Sequence, residues 1–135
     1  MTLPVTAFVA AVCALLLLLT AVMTVRQRLR LGAAFGDHGD ARLISASRAH
    51  GNLAEHAPIV VILLGLLESA RANHMALMAF GALFVIGRIA HIVGLHAPVE
   101  PGKPPVTRQI GVAATWITLM ALGGWTLWLL ATVNL

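Results

Sequence analysis

"RAHGNLAEHAP", residues 48–58, sets Arg48, His50, Asn52, Glu55 and His56 within nine residues and then runs into "IVVILLGLL", residues 59–67, among the most apolar segments of the chain. On a helix, Arg48, Asn52 and Glu55 are spaced i, i+4, i+7 and fall on one narrow stripe, with His56 one turn from Asn52 at its edge. Such a stripe at the mouth of an apolar helix is either a polar network that locks neighbouring helices together or a ligand site. The rest of the chain decides what kind of helix carries it.

Of the 135 residues, 59% are hydrophobic and only 10% are charged, and the mean hydropathy is +0.91. A soluble domain keeps about a quarter of its residues charged, so this chain reads as an integral membrane protein. The net charge of +4 then reflects basic loops that set topology rather than contact with nucleic acid. The single cysteine, Cys13, lies in an apolar run, which excludes an intrachain disulfide and makes it a small hydrophobe facing lipid or a neighbouring helix. The first apolar run lacks a preceding charged region and is followed by its positive charge, so it reads as a retained helix and not as a signal peptide.

Four segments, at about 4–25, 52–70, 75–95 and 110–131, meet the roughly 20 apolar residues that a bilayer crossing needs. Asp40, which ends the turn cluster "GDHGD", is a suitable N-cap, so the second helix begins near Ala41. From 41 to 70 it is about 45 Å long and projects its first turns into water. The connection at "ESARANH" is short, and "HAPVEPGKPPVTR" holds four prolines and one glycine and must be irregular. Arg26, Arg28, Arg30, Arg42, Arg48, Lys103 and Arg108 fall on one side of the membrane and Arg71 on the other. The positive-inside rule makes the first side cytoplasmic, with both termini outside. Trp125 and Trp128 fit an outer aromatic belt. The glycines at 65, 81, 87 and 94 suit close helix packing, and Pro58 removes a backbone bond within the second helix.

Arg88 and His91, three apart on one face of the third helix, reach a depth similar to Glu55. Charges inside a span normally face the bundle and pair. The expectation is therefore a Glu55–Arg88 pair or shared network, crowned by Arg48, Arg108 and the Arg26–Arg30 cluster, in a net-positive cavity enclosed by four helices. Arginines recognise carboxylates with a bidentate fork and a glutamate holds an ammonium, so an amphoteric peptide fits. His50 and His56 lie on different helix faces, so no metal site is expected.

At these residues the chain resembles a known family. "RAHGNLAEHAP" is similar to the Arg-x-x-x-Asn-x-x-Glu-(Tyr/His)-x-Pro motif of the MAPEG proteins, the membrane-associated proteins in eicosanoid and glutathione metabolism. "GRIAHIVG" is similar to that family's third-helix motif, and "GDHGD" suits its bacterial branch. The resemblance, to a bacterial-type member akin to microsomal glutathione S-transferases, covers nearly the whole chain as one domain. It implies an all-α integral membrane four-helix bundle, assembled as a homotrimer with glutathione bound between subunits. It also implies a lipophilic electrophile as second substrate. Carried over by position, Arg48 and Asn52 contact glutathione, His50 stands where some relatives use Gln, Glu55 receives the amino group, and His56 falls where many have Tyr. Arg28 or Arg26 matches a basic residue ending the first helix. Arg88 matches the third-helix arginine, and Arg108 the fourth-helix arginine that helps form the thiolate. There is no tyrosine, and His91 and Leu95 occupy third-helix positions where catalytic relatives carry it. That departure bears on catalysis more than on binding.

Three readings compete. The first is a glutathione-binding transferase or peroxidase in which Arg108 stabilises the thiolate. The second is a non-catalytic scaffold or lipid-binding protein of the same fold. The third, a small proton-coupled drug exporter, usually places its membrane carboxylate in the first helix, and "VTAFVAAVCALLLLLTAVMTV" has none. The map itself is testable: a reporter active only in the cytoplasm should be active in the 36–40 turn and silent after Leu135, and the reverse pattern would invert the topology.

Overall fold

The structure, a computed structural model, describes residues 3–98 and 103–132. It is all-α, with helices α1 (Pro4–Leu31), α2 (Ala41–Ser69), α3 (His74–His96) and α4 (Val106–Thr132). All four are long and apolar enough to cross a membrane. Of the proline-rich connection, residues 99–102 lie outside the described residues.

The helix ends follow local chemistry. α1 runs six residues beyond the span expected from hydropathy and stops at Gly32, whose φ of 63° supplies the left-handed cap that lets Ala33 N–H reach the Arg28 carbonyl. The arginine tract is thus helix standing clear of the apolar span, because hydropathy marks the membrane edge and glycine marks the helix end. α4 likewise begins earlier, at Val106, directly after Pro104 and Pro105. Asp40 caps α2 as expected and accepts from Leu43 N–H at 2.9 Å. The Arg30 guanidinium first, and the Leu43 amide second, hold the Asp40 carboxyl below its usual range. A depressed carboxyl stabilises the fold fully above its ordinary pKa and stops doing so as pH falls through the depressed value, so this clasp holds at neutral pH.

α2 and α3 form the middle of the bundle. α1 packs mainly on α2 and α4 mainly on α3, while among the described residues the backbones of α1 and α4 do not approach one another. The apolar core joins Val5, Val9 and Cys13 of α1, Leu53, Val60 and Leu64 of α2, Leu77 and Phe84 of α3, and Leu122 of α4. The outer flanks of α1 and α4 stay apolar and exposed, for example at Leu15, Leu18 and Val22 and at Trp116, Met120 and Trp128. Those surfaces suit lipid or a neighbouring subunit.

Glycine sets the distance between α3 and α4. A Cβ on Gly87 would meet Ala114 Cβ at 2.6 Å, and one on Gly94 would strike the backbone nitrogen of Arg108. Gly81 makes similar room for Val9, whereas a Cβ on Gly65 would meet Thr6 at an ordinary 3.5 Å. Pro58 is accommodated within an uninterrupted α2.

A carboxylate that the sequence reading passes over closes the other end. Glu68, near the end of α2, accepts from Val5 N–H at 2.9 Å, Thr6 N–H at 2.8 Å and the Thr6 hydroxyl at 2.7 Å. It caps the first turn of α1, a helix that has no side-chain cap of its own.

Gly94→Val should lower stability in detergent by about 1–3 kcal/mol, the usual result of overpacking, read as a drop in thermal midpoint. Gly123→Ala, where an added Cβ meets nothing within 4 Å, should not lower it. Equal behaviour of the two would refute the close approach.

Candidate functional site

The polar stripe on α2 lines a cleft of about 300 Å³ at the arginine-rich end of the bundle. Arg48, Asn52, Glu55 and Ser47 come from α2, Arg28 from α1 and Asp37 from the connecting turn. The α2 residues share a face because 48, 52 and 55 recur at helical spacing. Arg28 arrives because its Nη1 donates to the Ala34 and Gly36 carbonyls, at 3.4 and 3.1 Å, and folds the turn over the cleft. Of the two α1 arginines left open from sequence, Arg28 lines this cleft and Arg26 lines another.

Arg48 and Glu55 are exposed, and neither side chain has a hydrogen bond or ion pair among the described residues. Seven residues apart on α2, they stand about 10 Å apart along the axis. Asn52 Nδ2 donates to the Arg48 carbonyl at 3.1 Å. Two guanidiniums face two carboxylates, since Asp37 joins Glu55. The cleft is therefore formally balanced, where the expectation was a net-positive cavity with one carboxylate. Asp37 was read only as part of a turn, and a turn cluster carries no signal of what it folds against.

Arg88 does not pair with Glu55. It is 2% exposed, and its Nη2 donates to the Gly111 carbonyl at 2.9 Å and to the Thr115 hydroxyl, while Nη1 reaches the Asn52 carbonyl at 3.5 Å. Its guanidinium also lies 5.7 Å over the Phe84 ring. The physical reason is packing. Depth matching placed Arg88 and Glu55 at one level, but they sit on different sides of α2, and the glycine contacts bring α4 carbonyls to Arg88 first. The polar groups line clefts on the flanks, and Arg88 fills the space between α3, α4 and α2. Gly111 and Thr115, missed from sequence, share the inner face of α4 at i, i+4, and that spacing was the available signal.

The histidines separate. His50 Nδ1 meets the Thr20 hydroxyl at 3.1 Å and so faces α1. His56 Nδ1 donates to the Asn52 carbonyl at 2.6 Å, the acceptor that Arg88 also approaches. His91 is buried, its Nδ1 donates to the Arg108 carbonyl at 3.3 Å, and its Nε2 has no partner among the described residues. Among the described residues no group of His, Cys, Asp and Glu could hold a metal ion.

Arg108 is exposed and lines a separate cleft of about 590 Å³ with Gln109, Val112 and Trp116. The single chain thus brings Arg28, Arg48, Asn52 and Glu55 together and leaves Arg108 on the α4 flank. Between them, Arg88 and His91 hold the first turns of α4 to α3, and Arg88 reaches on to α2. The two halves are mechanically linked without sharing a surface.

The profile of the MAPEG family matches residues 6–128. Inner membrane protein YecN of Escherichia coli strain K12 is 33% identical over 124 residues, covering 92% of this chain and 91% of that protein. The protein of the same name from Escherichia coli O6:H1 strain CFT073 matches to the same extent. No solved structure matches. A profile match and a relative that each span nearly the whole chain, on a bundle of four membrane-length helices, make this chain a member of the MAPEG family.

Proposed function

We propose that this protein binds glutathione at the Arg28–Arg48–Asn52–Glu55 cleft, and that as a homotrimer it presents the bound thiol to lipophilic electrophiles in the inner membrane. The observation that carries the reading is the pair of unspent charges, Arg48 and Glu55, in one cleft with a second guanidinium and an amide. Glutathione offers two carboxylates, one ammonium, peptide groups and a thiol. Arg48 and Arg28 answer the carboxylates, Glu55 the ammonium and Asn52 a peptide group. Family membership supports the same assignment, and the relative's name supports the inner membrane.

Chemistry needs a cation near sulfur. With no tyrosine in the chain, Arg108 is the residue for that role. On a single chain it lies outside the binding cleft, so the reading requires that assembly bring the α4 flank of one copy to the α2 stripe of another. The exposed apolar flanks of α1 and α4 are surfaces on which copies can meet. The thiol proton then passes to water, the thiolate attacks the electrophilic carbon, and the displaced group leaves with the bonding pair or the adduct takes up a proton. A non-catalytic binding protein is the second reading, favoured by the distance of Arg108 from the stripe and by His91 and Leu95 in place of tyrosine.

Arg48→Ala should weaken glutathione binding by about 1.5–3 kcal/mol, the range for a lost hydrogen bond to a charged group, in titration calorimetry of the detergent-purified protein. Unchanged binding in folded Arg48→Ala and Glu55→Gln would make the stripe a structural network. For the chemistry, thiolate ultraviolet absorbance of bound glutathione should rise at lower pH than that of free glutathione. Arg108→Ala should shift that rise back and slow conjugation of a hydrophobic electrophile while binding changes less. Binding with an unshifted thiol and no conjugate would leave the non-catalytic reading.

A further inference from the structure

A second and larger cleft, of about 680 Å³, opens on a different flank at the same end of the bundle. Its polar wall is Arg26 and Gln27 of α1, Arg42 and Ser45 of α2 and His96 of α3. None of these residues belongs to the cleft that holds Arg48 and Glu55.

The arginines of this region divide by what they already hold. Arg28 is bonded to the Ala34 and Gly36 carbonyls. Arg30 is bonded to Gln27 Oε1 and, through Nη2, to both oxygens of Asp40 at 2.8 Å. Arg26 and Arg42 are exposed, and among the described residues neither guanidinium has a hydrogen bond or an ion pair. Both unspent cations line the same cleft, and among the described residues no carboxylate lines it. The glutathione cleft is balanced by Asp37 and Glu55. Among the described residues this one carries cations alone, and its own chemistry calls for an anion. Two guanidiniums with a serine hydroxyl suit the oxygens of a phosphate.

The shape below that mouth separates a lipid from a free ion. An apolar groove of about 420 Å³, lined by Met23, Ile92 and Val93, shares Met23, His96 and Ala97 with the polar cleft. Ile92 and Val93 precede His96 by about one turn of α3, so the groove leads from the charged end toward the middle of the span. A free phosphate would use only the mouth. A molecule with a phosphate head and an acyl chain uses both. Interfacial arginines at a leaflet rich in anionic lipid each add about the same attraction, and the two here would act on one head group.

We propose that this cleft is a specific site for an anionic phospholipid, with the phosphate between Arg26 and Arg42 and one acyl chain along Met23, Ile92 and Val93. The bound lipid would tie the end of α1, the start of α2 and the end of α3 together at the membrane edge. The proposal stands independently of glutathione binding.

The test is retention of lipid by the purified protein in native mass spectrometry, after equilibration in detergent with equimolar phosphatidylglycerol and phosphatidylcholine. The wild type should keep phosphatidylglycerol selectively. The double variant Arg26→Gln, Arg42→Gln should lose that retention roughly thirty-fold, as expected for two interfacial cations, with unchanged helicity and thermal midpoint in lipid-free detergent. Arg71→Gln, at the opposite end of the bundle, should keep it. A second arm offers sn-glycerol 3-phosphate as competitor. Failure to displace the lipid supports an acyl-chain requirement, and displacement at a similar concentration overturns the lipid assignment in favour of a free phosphate. Equal retention of phosphatidylcholine, or full retention of phosphatidylglycerol by the double variant, overturns the site.

Discussion

A guanidinium placed within membrane-spanning helices must find acceptors inside the protein, because lipid offers none. Arg88 finds them on its neighbours for its two terminal nitrogens, at the Gly111 carbonyl and the Thr115 hydroxyl on α4 and the Asn52 carbonyl on α2, while its Nε has no partner among the described residues. α3 thereby becomes the member on which the other helices are aligned. The same helix carries Gly87 and Gly94, which let α4 approach closely enough for those bonds to form. Close approach and buried charge depend on each other. A larger residue at Gly87 would push the α4 carbonyls away from Arg88, and a smaller residue at Arg88 would leave the carbonyl of Gly111 to Thr115 alone.

The polar clefts of the chain are gathered at one end, the apolar core lies below them, and the Glu68 clasp closes the other end. Three clefts open there, one with mixed charge beside the α2 stripe, one cationic beside α1 and α3, and one beside Arg108 on α4. A water-soluble peptide can reach this end from solution, and a lipophile dissolved in the bilayer can reach it along the exposed apolar flanks of α1 and α4. That division of access suits a reaction between one reactant from each phase. The unpaired charges stand at the rim of the bundle and not at its centre, where they would have to be stripped of water.

Hydropathy alone placed four spans, and the Asp40 cap followed from a single residue type at a helix start. Glycines read as packing residues proved so at 81, 87 and 94, where the contacts are too tight for a side chain, but not at 65, where there is room. The expected pairing of Arg88 with Glu55 failed on direction around the helix, which the sequence does not carry. Rise per residue fixes depth, but direction depends on which neighbour comes close. Glu68 and Asp37 escaped notice for a related reason. Each acts on a segment far away in sequence or folded back upon it, and no local spacing announces such a contact. Arg108 shows the same limit in another form. Its position at the start of α4 was clear, but the surface it faces depends on how α4 sits against α3.

Glu68 and Asp40 together make α1 and α2 a hairpin fastened at both ends. At one end the Arg30 guanidinium holds Asp40; at the other, Glu68 takes up the free amides of the first turn of α1. During synthesis the leading turn of α1 is made before Glu68, so for that interval its amides depend on water or headgroups at the membrane surface. They are satisfied by protein only once α2 has crossed back. Insertion of this chain is therefore complete in pairs of helices, with the second crossing sealing the first.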